Sequence, residues 1–327
     1  MRAVYGMLCA ASAALLLTSA TPAIASNTLP KCLFVSSYHK GYAWSDGVEA
    51  GLRSTLQGKC ELRQFDMNTK RRKSNADKRA AALEAHAIIK AWQPNVMITA
   101  DDNAARYLIK PYYRDRDTPF VFCGVNWTVS EYGFPYRNVT GIVEIAPIRP
   151  MLKRALKMTG NARRAFYLGA ETLTETKNLK RFQKIAQELG IALDHALVPT
   201  IEEWVQGYRA AQAYDFVILG SKGGINDWDD HQAEQAVLAS TKRLSVTNHD
   251  WMMRFAILGV TKVPREHGEW AAKSALRIID GMRPLDIPII SNSRRDLWIN
   301  EAILATTDLK ISKTLRRRAK RIEAEQS

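Results

Sequence analysis

A rhythm constrains this chain most: short apolar runs alternate with amphipathic stretches of helical period, and the series occurs twice. Cys32–Ser37 reads as a buried strand, Trp44–Leu56 as a helix and Glu61–Met67 as a strand. Asp77–Trp92 reads as a helix with Ala80, Leu83, Ala87, Ile88 and Ala91 on one face. Asn95–Thr99 follows the Pro94 break as a third strand, Asp102–Ile109 is a short helix, and Pro119–Cys123 is a fourth strand. Strand, helix, strand at this spacing specifies βαβ units and a parallel sheet. After Asn138–Val143 the rhythm restarts with helix Pro147–Met158, strand Arg164–Leu168 and helix Leu173–Leu189, closed by Gly190. Strand Leu193–Val198, helix Ile201–Ala211, strand Phe216–Leu219, helix Asp229–Ser240 and strand Leu244–Thr247 follow. The second half repeats the architecture of the first without repeating its sequence, which predicts two α/β lobes with a cleft between them.

The end of the chain fits no third domain. Phe255–Val260 reads as a short strand, and Arg265–Ile279 as a long amphipathic helix ended by Gly281 and Pro284. Ile287–Ile290 and Leu297–Ile299 read as strand, and Glu301 onward as helix. These elements are expected to return across a hinge and complete both lobes. The first lobe is then 26–145 with about 251–284, the second 146–250 with about 285–309, and 310–327 a basic helical tail.

Composition bears on compartment and partners. A basic start at Met1-Arg2, an apolar run from Tyr5 to Ser19, the Thr21-Pro22 break and the small residues of Ala23-Ile24-Ala25 make 1–25 a cleavable signal peptide. The run is short for a bilayer span, which takes about 20 residues, and Cys9 sits too early for lipid attachment. The mature chain is therefore expected in the periplasm. With 47 Lys+Arg against 33 Asp+Glu the chain is basic, a balance that favours anionic surfaces. Export excludes nucleic acid, and Lys70–Lys73 and Lys310–Arg321 read as solvated surface. Cys32 and Cys60 open two strands which, as parallel neighbours, would bring them within disulfide reach in an oxidising compartment. Cys123, at the end of a buried strand, reads as a free apolar thiol. The cysteine spacing holds no metal motif, and no cofactor is expected.

In open parallel sheets ligands sit outside the C-terminal ends of the strands, where loops and helix N-termini converge. In the first half those ends carry Ser36, Ser37, Tyr38 and His39 with Tyr42 and Trp44 following, then Asp101, Asp102 and Asn103, then Asn126 and Trp127. In the second half they carry Glu171 and Thr172, the Gly220–Gly224 loop with Ser221, and His249, Asp250 and Trp251. Aromatics mixed with hydroxyls, amides and carboxylates suit a small-molecule cleft. Plainer roles compete: Asp101 or Asp102 as a helix N-cap, Ser36 and Ser37 as caps of the next segment, Trp127 and Trp251 as core or hinge aromatics. Gly220–Gly224 lacks the spacing and terminal Lys-Ser/Thr of a nucleotide loop and reads as a tight turn at the lobe edge. Ser37, His39 and Asp46 have the composition of a hydrolase triad but no Gly-x-Ser-x-Gly elbow. His249 and Asp250 with Asp229, Asp230 and His231 lack recognised metal-ligand spacing. Binding, with no catalytic and no metal site, is the expected activity.

The opening run from Ser36 to Gly47, Ser-Ser-Tyr-His-Lys-Gly-Tyr-Ala-Trp-Ser-Asp-Gly, resembles the ABC-transporter substrate-binding family with the type 1 periplasmic-binding-protein fold. Asp101-Asp102-Asn103-Ala104, the segment Phe122 to Trp127 and the helix from Gly268 to Gly281 are similar to it too. The similarity extends over essentially the whole mature chain, to about Leu309. It implies two Rossmann-like lobes joined by three hinge crossings, a ligand trapped between them, and delivery to a permease with its ATPase. Sensor relatives imply a membrane sensor kinase as the alternative partner. Carried onto this chain, the resemblance puts Ser36, Ser37, Asp102 and Asn126 on the first lobe's side of the cleft and Glu171, Thr172, Ser221 and Asp250 on the second's. Asp101, Asp102, Glu171 and Asp250, near Tyr38, Tyr42, Trp44 and Trp251, predict a ligand with an ammonium group and an apolar or aromatic body. An amino acid or related amine fits that description, bound by a monomer.

Overall fold

The computed structural model describes Met1, residues 28–160 and residues 162–323; the predicted signal peptide and the last residues of the basic tail lie outside the described residues. From Lys31 the chain forms β1 (Lys31–Ser36), α1 (Ala43–Leu56), β2 (Glu61–Asp66), α2 (Asn75–Trp92) and β3 (Val96–Ala100). Then come α3 (Asp101–Ala104), a π turn (Ala105–Ile109), α4 (Lys110–Tyr112), β4 (Phe120–Asn126) and β5 (Val139–Glu144). The second series is α5 (Ile148–Thr159), β6 (Arg164–Ala170), α6 (Leu173–Glu188), β7 (Ala192–Val198), α7 (Ile201–Ala211), β8 (Phe216–Leu219), α8 (Asp230–Ser240), β9 (Leu244–Thr247) and β10 (Leu258–Lys262). The chain closes with α9 (Pro264–Ile279), β11 (Ile290–Ser291), β12 (Arg295–Asn300), α10 (Glu301–Ala305), α11 (Lys313–Arg318) and β13 (Lys320–Ile322).

The first sheet has the order β11-β5-β4-β3-β1-β2, and every pairing in it is parallel. β3 and β5 are buried at every position, as strands covered by helices on both faces require. The second sheet has the order β13-β12-β10-β9-β8-β6-β7. It is parallel except where β12 meets β10, because β12 enters this lobe from the hinge side and runs back along its neighbour. The expected α/β class with two parallel-dominated sheets is what forms.

Membership of the lobes departs from expectation near the end of the chain. From sequence, 251–284 belongs to the first lobe; instead β10 pairs with β9 in the second sheet, and only α9 crosses to pack on α1. From sequence, 285–309 belongs to the second lobe; instead β11 pairs with β5 in the first sheet. β10 sits inside the second sheet between β9 and β12, and β11 closes the edge of the first sheet beside β5, so the backbone groups of each are paired before the chain crosses. The expected helical tail is helical only at α11. Leu315 is buried, Leu309 and Ile311 pack on the second core, and β13 adds a parallel edge strand beside β12. On α2 the buried face is Ala81, Ala82, Ala85, Ile89 and Trp92, and the face read from the sequence turns outward: Ala80, Leu83, Ala87 and Ala91 are exposed and Ile88 is half-buried. Trp92, with the largest apolar area on the helix, sets the side that turns inward.

Three connections join the lobes: Ile145–Pro147 between β5 and α5, Val263 between β10 and α9, and Asn292–Arg294 between β11 and β12. They are bonded to one another. Ile145 N–H donates to Asn292 Oδ1 (2.7 Å), and the buried Glu266 carboxylate on α9 accepts from Ser293 N–H (2.9 Å), Ser293 Oγ (3.0 Å) and Arg294 N–H (2.8 Å). Behind the hinge, α9 lies directly on α1 through glycines. A Cβ on Gly268 would overlap the Val48 carbonyl, and one on Gly51 would overlap the Arg265 carbonyl. At the far end of the first sheet Cys32 and Cys60 form a disulfide, with Cα atoms 6.0 Å apart, and Cys123 is a buried free thiol.

Candidate functional site

The site grows from an irregularity in β4. The register shifts between Cys123 and Val125, and Gly124 takes φ +70°. A Cβ there would lie 3.0 Å from Asp101 Oδ1, so glycine answers both the backbone angle and the close neighbour. The Gly124 N–H turns to His267 Nδ1 on α9 (3.3 Å). Asp101 itself follows β3 at φ +69°, a conformation costing a non-glycine residue of order 1 kcal/mol or more. Its side chain is 3% exposed. Oδ1 accepts from Trp44 Nε1 (3.0 Å), whereas Oδ2 is buried with no partner. Burial first, then the charges of Glu144 and Asp102, push this carboxyl well above the usual carboxylate range. A strained, buried acceptor left unanswered is a socket for an external donor.

Around it the first lobe builds a wall of carboxylates and rings. Asp102 accepts from Tyr132 OH (2.6 Å) and Asn126 Nδ2 (2.6 Å), which fixes Asn126 at the end of β4. Tyr38 and Tyr42 meet edge to face with centroids 5.1 Å apart, and the Lys70 ammonium lies 4.5 Å and 5.0 Å from their centroids. Burial, then Asp101, raises the pKa of both phenols. Glu144, buried at the end of β5, is paired with Lys262 at the end of β10, so this ion pair spans the two lobes. The same ammonium lies 4.8 Å from the Trp44 ring centroid. Burial raises the Glu144 pKa, and Lys262 opposes the shift. His267 packs edge-on to Trp44 and is pushed down to about 3, by burial first and then by Lys262.

Ser36 and Ser37 end β1 but turn inward. Ser37 Oγ donates to Ala100 O (2.5 Å) and accepts from Ala104 N–H (2.9 Å), and Ser36 Oγ accepts from Tyr38 N–H (3.3 Å). The Ala104 N–H in α3 is thus answered by Ser37, and Asp101 Oδ2 stays without a partner. Trp127 lies against the second core, and Arg181 of α6 stacks 4.2 Å from its ring centroid, making it a seam residue between lobes.

The second lobe's residues mostly serve its own loops. Thr172 caps α6 by accepting from Glu175 N–H (3.2 Å), and Ser221 Oγ accepts from Gly223 N–H (3.0 Å). Buried Glu175 gathers Tyr167 OH (2.6 Å), Ser221 N–H (3.0 Å) and Asn178 Nδ2 (2.9 Å), and so holds the Gly220–Gly224 loop in place. Glu171 and Asp250 are exposed, and Trp251, 51% exposed, stacks on His249 with centroids 4.5 Å apart. Burial, then Lys262, pushes His249 down to about 3.

Strand-end reasoning therefore brings Tyr38, Tyr42, Trp44, Asp101, Asp102 and Asn126 together. It misses Glu144, Lys262, Lys70, His267 and Glu175. A charged residue closing an apolar strand, as Glu144 and Lys262 do, is the signal that finds the first two.

The family model described as ABC transporter substrate binding protein matches residues 39–323. No curated protein matches the chain. Among solved structures, a ligand-free, open substrate binding protein with adhesive properties from Clostridium difficile superposes with a TM-score of 0.74 at 11% identity, covering 91% of this chain and 100% of that one. A conserved domain protein from Vibrio cholerae gives 0.61 at 16% identity, over 90% and 99% of the two chains. An ABC domain in complex with L-Trp from Streptococcus pneumonia gives 0.57 at 14% identity, over 89% and 99%. The fold is that of type 1 periplasmic binding proteins.

Proposed function

The chain belongs to the ABC transporter substrate binding protein family, and from that premise we propose that it captures an amino acid or related amine in the periplasm by closing two lobes over it. Its general role is that of the substrate-binding component of an ABC transporter, which performs no chemistry. The observation that carries the ligand class is Asp101 Oδ2, buried and unpartnered among aromatic rings. An ammonium is the donor that such a carboxylate edge takes, and Trp44, Tyr38 and Tyr42 provide the wall for an apolar or aromatic body. A streptococcal domain of the same fold was solved with L-Trp, which supports an aromatic amino acid as the first compound to try.

Capture proceeds by population shift. The ligand's ammonium docks on the first lobe, and rotation about the three connections brings Asp250, Trp251 and Glu171 over it. A ligand that touches both lobes only when they are closed shifts the equilibrium by its differential affinity for that state. The closed form then docks on a permease with its ATPase.

Thermal-shift and calorimetric titration over amino acids, polyamines, sugars and organic acids tests this. Amines with an apolar body are expected to stabilise the protein, by about 2.7 kcal/mol at a hundredfold excess over Kd. Native mass spectrometry that finds a plain sugar or an inorganic anion in the purified protein would overturn the ligand class.

A further inference from the structure

Three carboxylates face the site from the first lobe, and two of them are already answered from within the chain. Asp102 is held by Tyr132 and Asn126, and Glu144 is held by Lys262, which reaches across from the second lobe. Only Asp101 presents an unfilled edge. The aromatic faces that attract cations are claimed in the same way. Lys70 lies over Tyr38 and Tyr42, and Lys262 lies 4.8 Å from the centroid of Trp44. The Lys262 ammonium is thus a resident cation on the second acidic and aromatic position, carried there by the end of β10. We propose that Lys262 is a specificity-determining residue that restricts the site to ligands with one ammonium group. This rests on the amine reading above and refines it.

A ligand bearing a second ammonium on its body finds no vacant carboxylate and meets the Lys262 charge in a partly desolvated cleft, where like charges repel strongly. Removing that charge empties both the Glu144 carboxylate and the Trp44 face for the second ammonium. The repulsive element, more than any attraction, then sets the choice between monoamines and diamines.

Matched probes isolate the effect: L-phenylalanine against 4-(aminomethyl)-L-phenylalanine, and L-norleucine against L-lysine, each pair differing by one ammonium. The readout is the ratio of the two dissociation constants, which a general loss of closure leaves unmoved. The wild type is expected to prefer the mono-ammonium partner at least tenfold. In Lys262→Met the preference falls at least tenfold or inverts, and Lys262→Arg retains it. Should the single variant not fold, Glu144→Gln/Lys262→Met leaves no buried charge unpaired, and its ratio falls at least threefold. A folded Lys262→Met protein that keeps the wild-type ratio overturns the role of Lys262 and leaves the amine reading standing. A wild type that binds none of the four probes overturns both.

Discussion

The two sides of the cleft are assembled from equivalent strand ends, yet they are finished differently. In the first lobe Asp101, Trp44, Asp102 and Asn126 interlock through side-chain hydrogen bonds, and Asp101 is buried. In the second, Thr172, Ser221 and Glu175 spend their polar atoms on the loops that carry them, and Asp250 and Trp251 stand exposed. One side is a rigid, charge-bearing receptor, and the other is a scaffolded rim. Rigid preorganisation lowers the ordering cost of binding, so the first lobe is suited to meet a ligand before closure and the second to complete contacts afterwards.

The contrast can be attacked from several directions. The largest effect expected is on the stability of the first lobe, which holds the disulfide. Its loop spans 28 residues, and opening it costs about 3.5 kcal/mol by the loop-entropy relation. Calorimetry of Cys32→Ala/Cys60→Ala should show that loss with amine affinity unchanged, since the bridge lies at the opposite end of the sheet from the site. Next comes Asp101→Asn, which keeps an acceptor for Trp44 and deletes the charge. Amine affinity is expected to drop about a hundredfold, near 2.7 kcal/mol. Because burial raises the Asp101 pKa, wild-type affinity should also climb as pH rises through it, and the Asn variant should lack that climb. A flat pH profile in the wild type would break the comparison at its centre.

How far these features can be read from the sequence varies by residue. Alternating apolar runs expose the βαβ order because the central strands bury both faces, and Asp101 is visible because it directly follows such a run. Glu144 is not, since 138–143 reads as a divider between halves until β5 is seen to pair with β4. Lys262 escapes because its strand reads as ending at Val260, two residues early. The tail escapes for a similar reason: Lys320–Ile322 becomes a strand only because the β12 edge is there to accept it. Local pattern reports what a segment tolerates, and these three depend on a partner strand outside the segment itself.

Smaller effects separate the lobes further. His267, buried beside Trp44, has a folded pKa of about 3 against an unfolded value near 6.5. Its contribution is therefore present above pH 6.5 and is lost as pH falls toward 3, amounting to about 2 kcal/mol by pH 5. The gap between urea midpoints at pH 7 and pH 5 should narrow in His267→Gln, which preserves an acceptor for Gly124. His249 is pushed down to about 3 as well, so it contributes in the same sense over the same pH window. The weakest change expected is Thr172→Ala in the second lobe, which removes a helix cap worth about 1 kcal/mol and alters amine affinity less than threefold. An affinity loss matching that of Asp101→Asn would show the rim to be an equal partner.

The glycine contact between α1 and α9 has a mechanical consequence. With Gly268 pressed on the Val48 carbonyl and Gly51 on that of Arg265, the two helices have no room to slide. α1 opens with Ala43 and Trp44, and α9 begins just past the Val263 connector, so the Trp44 side of the binding wall is mounted on one stiff block while Lys262, at the end of β10, stands across the connector from it. Whatever swing the second lobe makes is taken up in the short connectors at 145–147, 263 and 292–294, as a door turns on its pins while the frame keeps its shape.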